Sequence, residues 1–321
     1  MTYLIRTAFI ALTLFAAGHA HAQTYPDRTI RILVGFTPGS ATDISARMFA
    51  QKLGEAWSVP VTVENLPGAG GSVGGERVGK SPPDGYTLYW GANGALTINP
   101  SLQTNPTFEP LRDLAPVARL LVMPSVLAVN NDVPAKSVAE LIALARAQPG
   151  KLSYASPGAG TPQHIAGEVF KSQLGLDIVH VPYRGANFTD VIGGRITMTF
   201  QNTGSILPTV REGKLRGLAV TSLKRSTAIP ELPTMVEAGV PDFEATSWFG
   251  LLAPAGTPAP IIAKLHKQAV EIVQHPHLRE NYGRIGLDVV TDAPDIFANI
   301  IRTDTAKWAK VIKDAGIKAG E

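Results

Sequence analysis

The chain contains no cysteine. That excludes disulfides, thiol chemistry and the lipid-modified cysteine of a bacterial lipoprotein. Long apolar runs are missing as well. The run from Thr7 to Ala17 is too short for the about 20 residues a membrane helix needs, and no later stretch approaches that length. Nor does either sign of charge dominate: 29 Lys and Arg stand against 26 Asp and Glu, with no basic stripe, so nucleic-acid binding has no electrostatic support. There is no fixed-period repeat, low-complexity tract or heptad run.

What the chain does have begins with an export signal. Arg6 supplies the positive end, Thr7 to Ala17 the apolar core and Ala20-His21-Ala22 a small-x-small cleavage site, so residues 1 to 22 are expected to be removed. A periplasmic protein starting at Gln23 is the expectation. Its length suits two domains or one large one.

Strand-like and helix-like runs alternate. Thr29 to Val34 is a short β-branched run, followed by the loop Gly35 to Asp43 and a helix with Ile44, Met48, Phe49 and Leu53 on one face. Val59 to Glu64 reads as a strand, Gly68 to Gly75 as a glycine loop, Glu76 to Gly79 as a short helix and Tyr86 to Trp90 as a strand. This alternation implies parallel, doubly wound sheets, whose ligands sit beyond the carboxyl ends of the strands. Two long apolar runs, Val117 to Val129 and Thr246 to Ala253, bracket a complete α/β set. An inserted second domain, entered and left through two extended crossings, fits that order. The helix-rich remainder, including Pro258 to Val273 and Ile296 to Ile312, would pack back on the first domain.

The stretch from Ser153 to Phe170 is the centre of the inserted set. A short apolar run ends in a Pro/Gly loop, and a helical pattern starts after Thr161-Pro162, a good N-cap followed by a residue with no N–H to orphan. The first helical turn presents unpaired N–H groups, and Gly158 and Gly160 carry no Cβ to hold a ligand away. The segment therefore reads either as an anion cradle or as an ordinary strand-to-helix turn.

Two chemical motifs are refused. Gly74 to Ser81 matches a nucleotide-binding P-loop, but its Lys80-Ser81 precedes Pro82-Pro83, where the required helix cannot continue. Gly70 to Gly74 matches the nucleophile elbow around Ser72, yet none of His164, His180, His266, His275 and His277 has an acidic neighbour marking it as a partner. Hydrolysis through Ser72 stays as the alternative. His275 and His277 lack a third metal ligand. His164 serves either a ligand or the packing of its helix. Tyr183 and Arg184 stand at a strand end, where the guanidinium either pairs with a carboxylate or is simply solvated. Asp43 reads as a capping carboxylate.

Taken in order, the motifs form a pattern: Pro38-Gly39-Ser40-Ala41-Thr42-Asp43 with Ala46-Arg47, Glu64 to Gly71, Pro83 to Leu88, Tyr154 to Gly160 with His164, Val181 to Gly185, Leu232 to Gly239, and Trp248 to Pro258. Over the whole mature chain this resembles the Bug/TctC family of periplasmic receptors of tripartite tricarboxylate transporters. The resemblance implies an α/β, two-lobed periplasmic binding protein of the type II, Venus-flytrap kind, each lobe a mostly parallel sheet flanked by helices. Lobe 1 would comprise residues 23–123 and 247–321, and lobe 2 residues 124–246. Such a receptor is not an enzyme and needs no cofactor or metal. It would be a monomer that captures a small carboxylate, di- or tricarboxylic or aromatic, and delivers it to a membrane permease; a ligand-binding sensor would look alike. Carried over by position, the ligand set is Phe36, Gly39, Ser40, Ala41 and Asp43 from lobe 1 and Ser156, Gly158, Gly160, Thr161 and His164 from lobe 2. Tyr183, Arg184, Gly185, Asn93 and Asn202 join it from neighbouring loops. The family pattern has glycine where this chain has Ser40, and the segment from Tyr183 to Asp190 is about two residues shorter than that pattern.

Overall fold

The computed structural model describes residues 25–103, 106–158, 160–183 and 188–317. The expected export signal lies outside them. The order of elements follows from where the chain can bury apolar side chains and where its caps stop it. Strand β1 (Ile30–Val34) is a nearly continuous apolar run, as befits a strand covered on both faces. Helix α1 (Ala41–Trp57) starts at the N-cap Ser40 and ends at Ser58, and buries Ala46, Phe49, Ala50 and Leu53. β2 (Val61–Asn65), α2 (Ser72–Gly79) and β3 (Thr87–Ala92) follow. A wide turn, Gly94–Ile98, runs into the short α3 (Asn99–Leu102), and α4 (Pro110–Asp113) precedes β4 (Leu114–Met123).

Pro124 separates β4 from β5 (Ser125–Val129), and at that point the chain passes from one sheet to another. Proline has no N–H for a ladder bond, so pairing on the first sheet ends there. The second sheet is built from β5, β6 (Ser153–Ser156), β7 (Val179–Pro182), β8 (Met198–Asn202) and β9 (Arg216–Val220). Its helices are α5 (Val138–Ala147), α6 (Pro162–Leu174), α7 (Thr189–Ile192) and α8 (Thr203–Arg211). The chain returns through β10 (Ser247–Pro254), then forms α9 (Ala259–Gln274), α10 (Pro276–Arg284), β11 (Asp288–Asp292) and α11 (Pro294–Asp314).

The six-stranded sheet runs β11-β4-β10-β3-β1-β2 and the five-stranded sheet β7-β6-β8-β5-β9. Both are mixed, where mostly parallel sheets are expected. β1 is parallel to β2 and β3, and β6 to β7 and β8, but β10 runs antiparallel to both β3 and β4, β11 antiparallel to β4, and β5 antiparallel to β8 and β9. The physical reason is the traffic between sheets: β10 returns to the first sheet beside β4, the strand that leaves it, so the two point opposite ways. Ser247 pairs with Met123, placing the two crossings side by side.

Two further expectations are corrected. The helix expected over Glu76–Gly79 already begins at Ser72, because the glycine turn closes within Ala69–Gly71, with Gly70 and Gly71 at positive φ. The C-terminal helix does not pack on one sheet only. At 21 residues, about 31 Å by helix geometry, α11 is long enough to serve both. Phe297 and Ile301 join Trp248 and Leu252 beside the first sheet, whereas Trp308 and Ile312 join Tyr154, Phe170 and Phe243 in the core of the second.

Candidate functional site

Two turns share one design, each leading from the carboxyl end of a parallel-paired strand into a capped helix. In the first, between β1 and α1, Ser40 Oγ accepts the Asp43 N–H at 3.2 Å. The Asp43 carboxylate, nearly fully buried, accepts from Gly39 N–H at 2.9 Å, Arg47 Nε at 2.9 Å and Asn65 Nδ2 at 2.9 Å. Burial works against its charge, but these donors hold its pKa below the ordinary aspartate value. Gly39 sits at φ +80°, open to glycine at little cost. Asn65 Nδ2 also reaches the Phe36 carbonyl at 3.0 Å, and the Phe36 ring packs on Gly71, where a Cβ would meet it at 2.9 Å. Asp43 is thus the clamp of the turn. Of the residues expected here, Gly39 has its N–H spent on that clamp. Helix geometry leaves the Ala41 and Thr42 N–H groups without intrahelical acceptors, and Ser40 keeps its hydroxyl proton to donate.

The second turn lies between β6 and α6. Thr161 Oγ1 accepts from His164 N–H at 3.3 Å and donates to the Gly158 carbonyl at 2.7 Å. Ser156 Oγ accepts from Gly158 N–H at 3.2 Å, and His164 Nδ1 accepts from Gly160 N–H at 2.9 Å. The N–H groups of Gly158 and Gly160 are thus both turned onto side chains of the turn itself. Gln163, second in α6, is the residue whose N–H helix geometry leaves free, since Pro162 has none. His164 is buried and faces inward. Its ring stacks on that of His180 at 3.8 Å, and Glu168 Oε1, which accepts from Tyr154 Oη at 2.7 Å and Lys171 Nζ at 2.8 Å, lies 3.9 Å from His164 Nε2.

The remaining expected residues spread around these turns. Tyr183 N–H donates to the Ser156 carbonyl at 3.0 Å, bringing β7 to the second turn, but its hydroxyl is bound to Asp190. Asn93 is buried and its Nδ2 donates to the Thr246 carbonyl at 3.1 Å, so it ties β3 to the returning crossing. Asn202 ends β8, and its Oδ1 is buried without a hydrogen-bond partner among the described residues. Arg184 and Gly185 lie outside the described residues, as does Ala159 in the second turn. The two halves approach through α3: Asn99 Nδ2 donates to the Ala69 carbonyl of the glycine turn, while a Cβ at Gly160 would lie 3.0 Å from Leu102 Cδ1.

Residues that shape the two turns but stand outside the expected ligand set are Arg47, Asn65, Tyr154, Glu168 and His180. Nothing local marked their roles: Asn65, for one, reaches Asp43 because Val34 pairs with Asn65 across the sheet. Ser72 opens α2 and is buried in the glycine turn. Lys80 of the refused P-loop match follows its helix and donates to Glu76. Among the described residues no group of three His, Cys, Asp or Glu is placed to hold a metal ion, and no helix is long and apolar enough to cross a membrane.

Against this geometry, the model of the family described as "Tripartite tricarboxylate transporter family receptor" matches residues 45–317. Protein BugT of Bordetella pertussis is 36% identical over 324 residues, covering 99% of this chain and 99% of its own. The solved structure of R. palustris Rpa4515 with adipate has a TM-score of 0.76 at 33% identity, covering 92% of this chain and 99% of that one. That of MatC from Rhodopseudomonas palustris with bound malate has a TM-score of 0.72 at 29% identity, covering 90% and 100%.

Proposed function

Since the chain belongs to the tripartite tricarboxylate transporter receptor family, we propose that it captures a small dicarboxylate between two lobes and hands it to a membrane permease. The lobes are residues 23–123 with 247–321, and residues 124–246, with α11 shared between them. The observation that carries this reading is the pair of capped helix starts, α1 and α6, one on each sheet. Helix starts favour anions through free N–H groups and the dipole. The donors to a carboxylate are the Ala41 and Thr42 N–H groups and the Ser40 hydroxyl on one side, and the Gln163 N–H on the other. Phe36, Gly39, Asp43, Ser156, Gly158, Gly160, Thr161 and His164 shape the two turns, with Tyr183 and Asn93 at their margins, and Arg184 and Gly185 belong to the set by their place in the sequence. Asn202 Oδ1, a buried acceptor without a partner, suits a ligand hydroxyl or a bridging water, because an acceptor repels a carboxylate oxygen. Ligands of this class support the reading in two relatives, one holding adipate and one malate.

The energetics close without a buried cation in contact with the ligand. Micromolar affinity needs about 8 kcal/mol, and charge-assisted hydrogen bonds contribute about 1.5 to 3 kcal/mol each, less the cost of association. Four to six such donors suffice on that scale. A ligand touching both lobes favours their closure by its differential contacts, and the permease reads closure. The protein acts in the periplasm as a monomer after cleavage behind Ala22, without catalysis or cofactor, and Ser72 is a turn residue.

The test is thermal unfolding of the mature protein with mono-, di- and tricarboxylates, aromatic acids among them. A ligand at about 100 times its dissociation constant adds about 2.7 kcal/mol. A shift with dicarboxylates is expected. No shift with any acid, in folded protein stripped of carried-over ligand, overturns the reading and returns hydrolysis at Ser72 to consideration.

A further inference from the structure

Behind the second turn two imidazoles lie face to face. The His164 and His180 rings are 3.8 Å apart and 8° from parallel, and Tyr154 stacks on His180 at 4.7 Å. Each ring holds one end of the turn. His164 Nδ1 accepts from Gly160 N–H at 2.9 Å, and His180 Nε2 lies 2.7 Å from Ser156 Oγ, the same oxygen that accepts from Gly158 N–H.

These bonds prescribe the protonation state. Gly160 N–H needs a bare Nδ1, which puts the single proton of neutral His164 on Nε2, the nitrogen toward Glu168. A proton on Nδ1 would set one N–H against another. Nor can both rings be charged, since two cations at stacking distance with little water between them repel strongly. The titratable and charged groups facing the pair among the described residues are Glu168 and Lys171 from α6 and Tyr154 from β6, and Lys171 and Glu168 bind each other. Burial, then the neighbouring His164 and Lys171, push His180 down to about 3. Burial also lowers His164, with Glu168 working against it.

We propose that His180 is a positioning residue for ligand capture: by stacking on His164 and bonding Ser156, whose hydroxyl also reaches the Gly158 carbonyl, it holds Gly158, Gly160 and Thr161 in place, and the hold is released when His164 takes up a proton on the Nδ1 that accepts the Gly160 N–H. This rests on the carboxylate-receptor reading for its consequence, but not for its geometry. The site is then insensitive to mild acid and fails sharply once His164 is charged.

The experiment follows the imidazole nitrogens and the Gly160 amide by NMR in ligand-free, nitrogen-15-labelled protein from about pH 8 down past the value of about 3 to which His180 is pushed. Expected is one neutral His164 tautomer with a bare Nδ1, a Gly160 amide protected from exchange, and both changing together well below the pH at which an exposed histidine titrates. In His180→Ala, Gly160 exchange should quicken and adipate affinity fall, each by about tenfold, the size of a lost buried hydrogen bond. His180→Gln, which reaches Ser156 without a titratable ring, should restore affinity near neutral pH and keep the loss in acid, which His164 sets. The proposal is overturned if Gly160 exchange is unchanged in His180→Ala, or if the two rings titrate independently near the ordinary histidine value in the wild-type protein, a measurement that stands even where a variant fails to fold. If adipate does not bind, the amide and ring measurements still decide the positioning role, while the carboxylate reading fails on its own test.

Discussion

The two helix-start turns solve one problem with opposite chemistry. Both must hold a glycine-containing loop steady at the end of a strand. The turn before α1 is held by an ionised carboxylate, Asp43, ringed by Arg47, Asn65 and the Gly39 N–H. The turn before α6 is held by uncharged rings, His164 and His180, with the ion pair of Glu168 and Lys171 set behind them. The charged clamp survives because Arg47 is half exposed and the buried Asp43 carboxylate has three donors around it. In the second sheet's core, where Tyr154 and Phe200 crowd the site, neutral rings hold the turn, and the buried Glu168 carboxylate behind them is compensated by Lys171 and Tyr154. The lesson is that a helix-start turn can be held by either a negative or a neutral group, provided that group's own hydrogen bonds are met.

The comparison can be broken most directly at Asp43. Asp43→Ala strands three donors, and a loss of about 3 kcal/mol in equilibrium denaturation is expected; a loss under about 1 kcal/mol would mean the clamp is ornamental. Acid should separate the two turns next. A histidine whose folded pKa is depressed contributes stability that is lost as pH falls below its unfolded value, here from about 6.5 toward about 3. A depressed aspartate contributes stability lost only as pH falls below about 3.8. Denaturant titrations at stepped pH should therefore show a first decline that His180→Gln reduces and a second, more acid one that it leaves alone. An unchanged first decline in that variant would erase the distinction. The caps come third. Thr161→Ala should cost about 1 to 2 kcal/mol and Ser40→Ala about 1 kcal/mol, because Thr161 both accepts from His164 and donates to Gly158; equal losses would make the caps equivalent. The smallest effect is expected at Ser72→Ala, within about 0.5 kcal/mol and with carboxylate affinity unchanged. Loss of binding or of a hydrolytic activity there would count against the receptor reading.

Much of this site was legible before any coordinates. Ser40 and Thr161-Pro162 announce helix starts because capping is a bond between residues three apart, and the strands feeding those helices read as apolar runs for the same local reason. The clamps were not legible. Asp43 meets Asn65 only because β2 lies beside β1, and His180 meets Tyr154 only because β7 lies beside β6 in a register that pairs those two residues. The direction of the Gly158 and Gly160 N–H groups escaped for a related reason: a glycine's freedom says that a turn is possible there, not which acceptor it will choose.

On its own the amino-acid order determined the alternation of strands and helices, the place of the two crossings near Pro124 and Ser247, and the two capped starts, because periodicity, capping and the missing proline N–H act over a few residues. Only the tertiary structure decided that β10 returns antiparallel, that α11 spans both cores, and that one turn is clamped by a charge and the other by two neutral rings. Those outcomes depend on which distant segments become neighbours and how much water remains between them, and burial is what converts such proximity into a hydrogen bond, a stacked pair or a shifted proton.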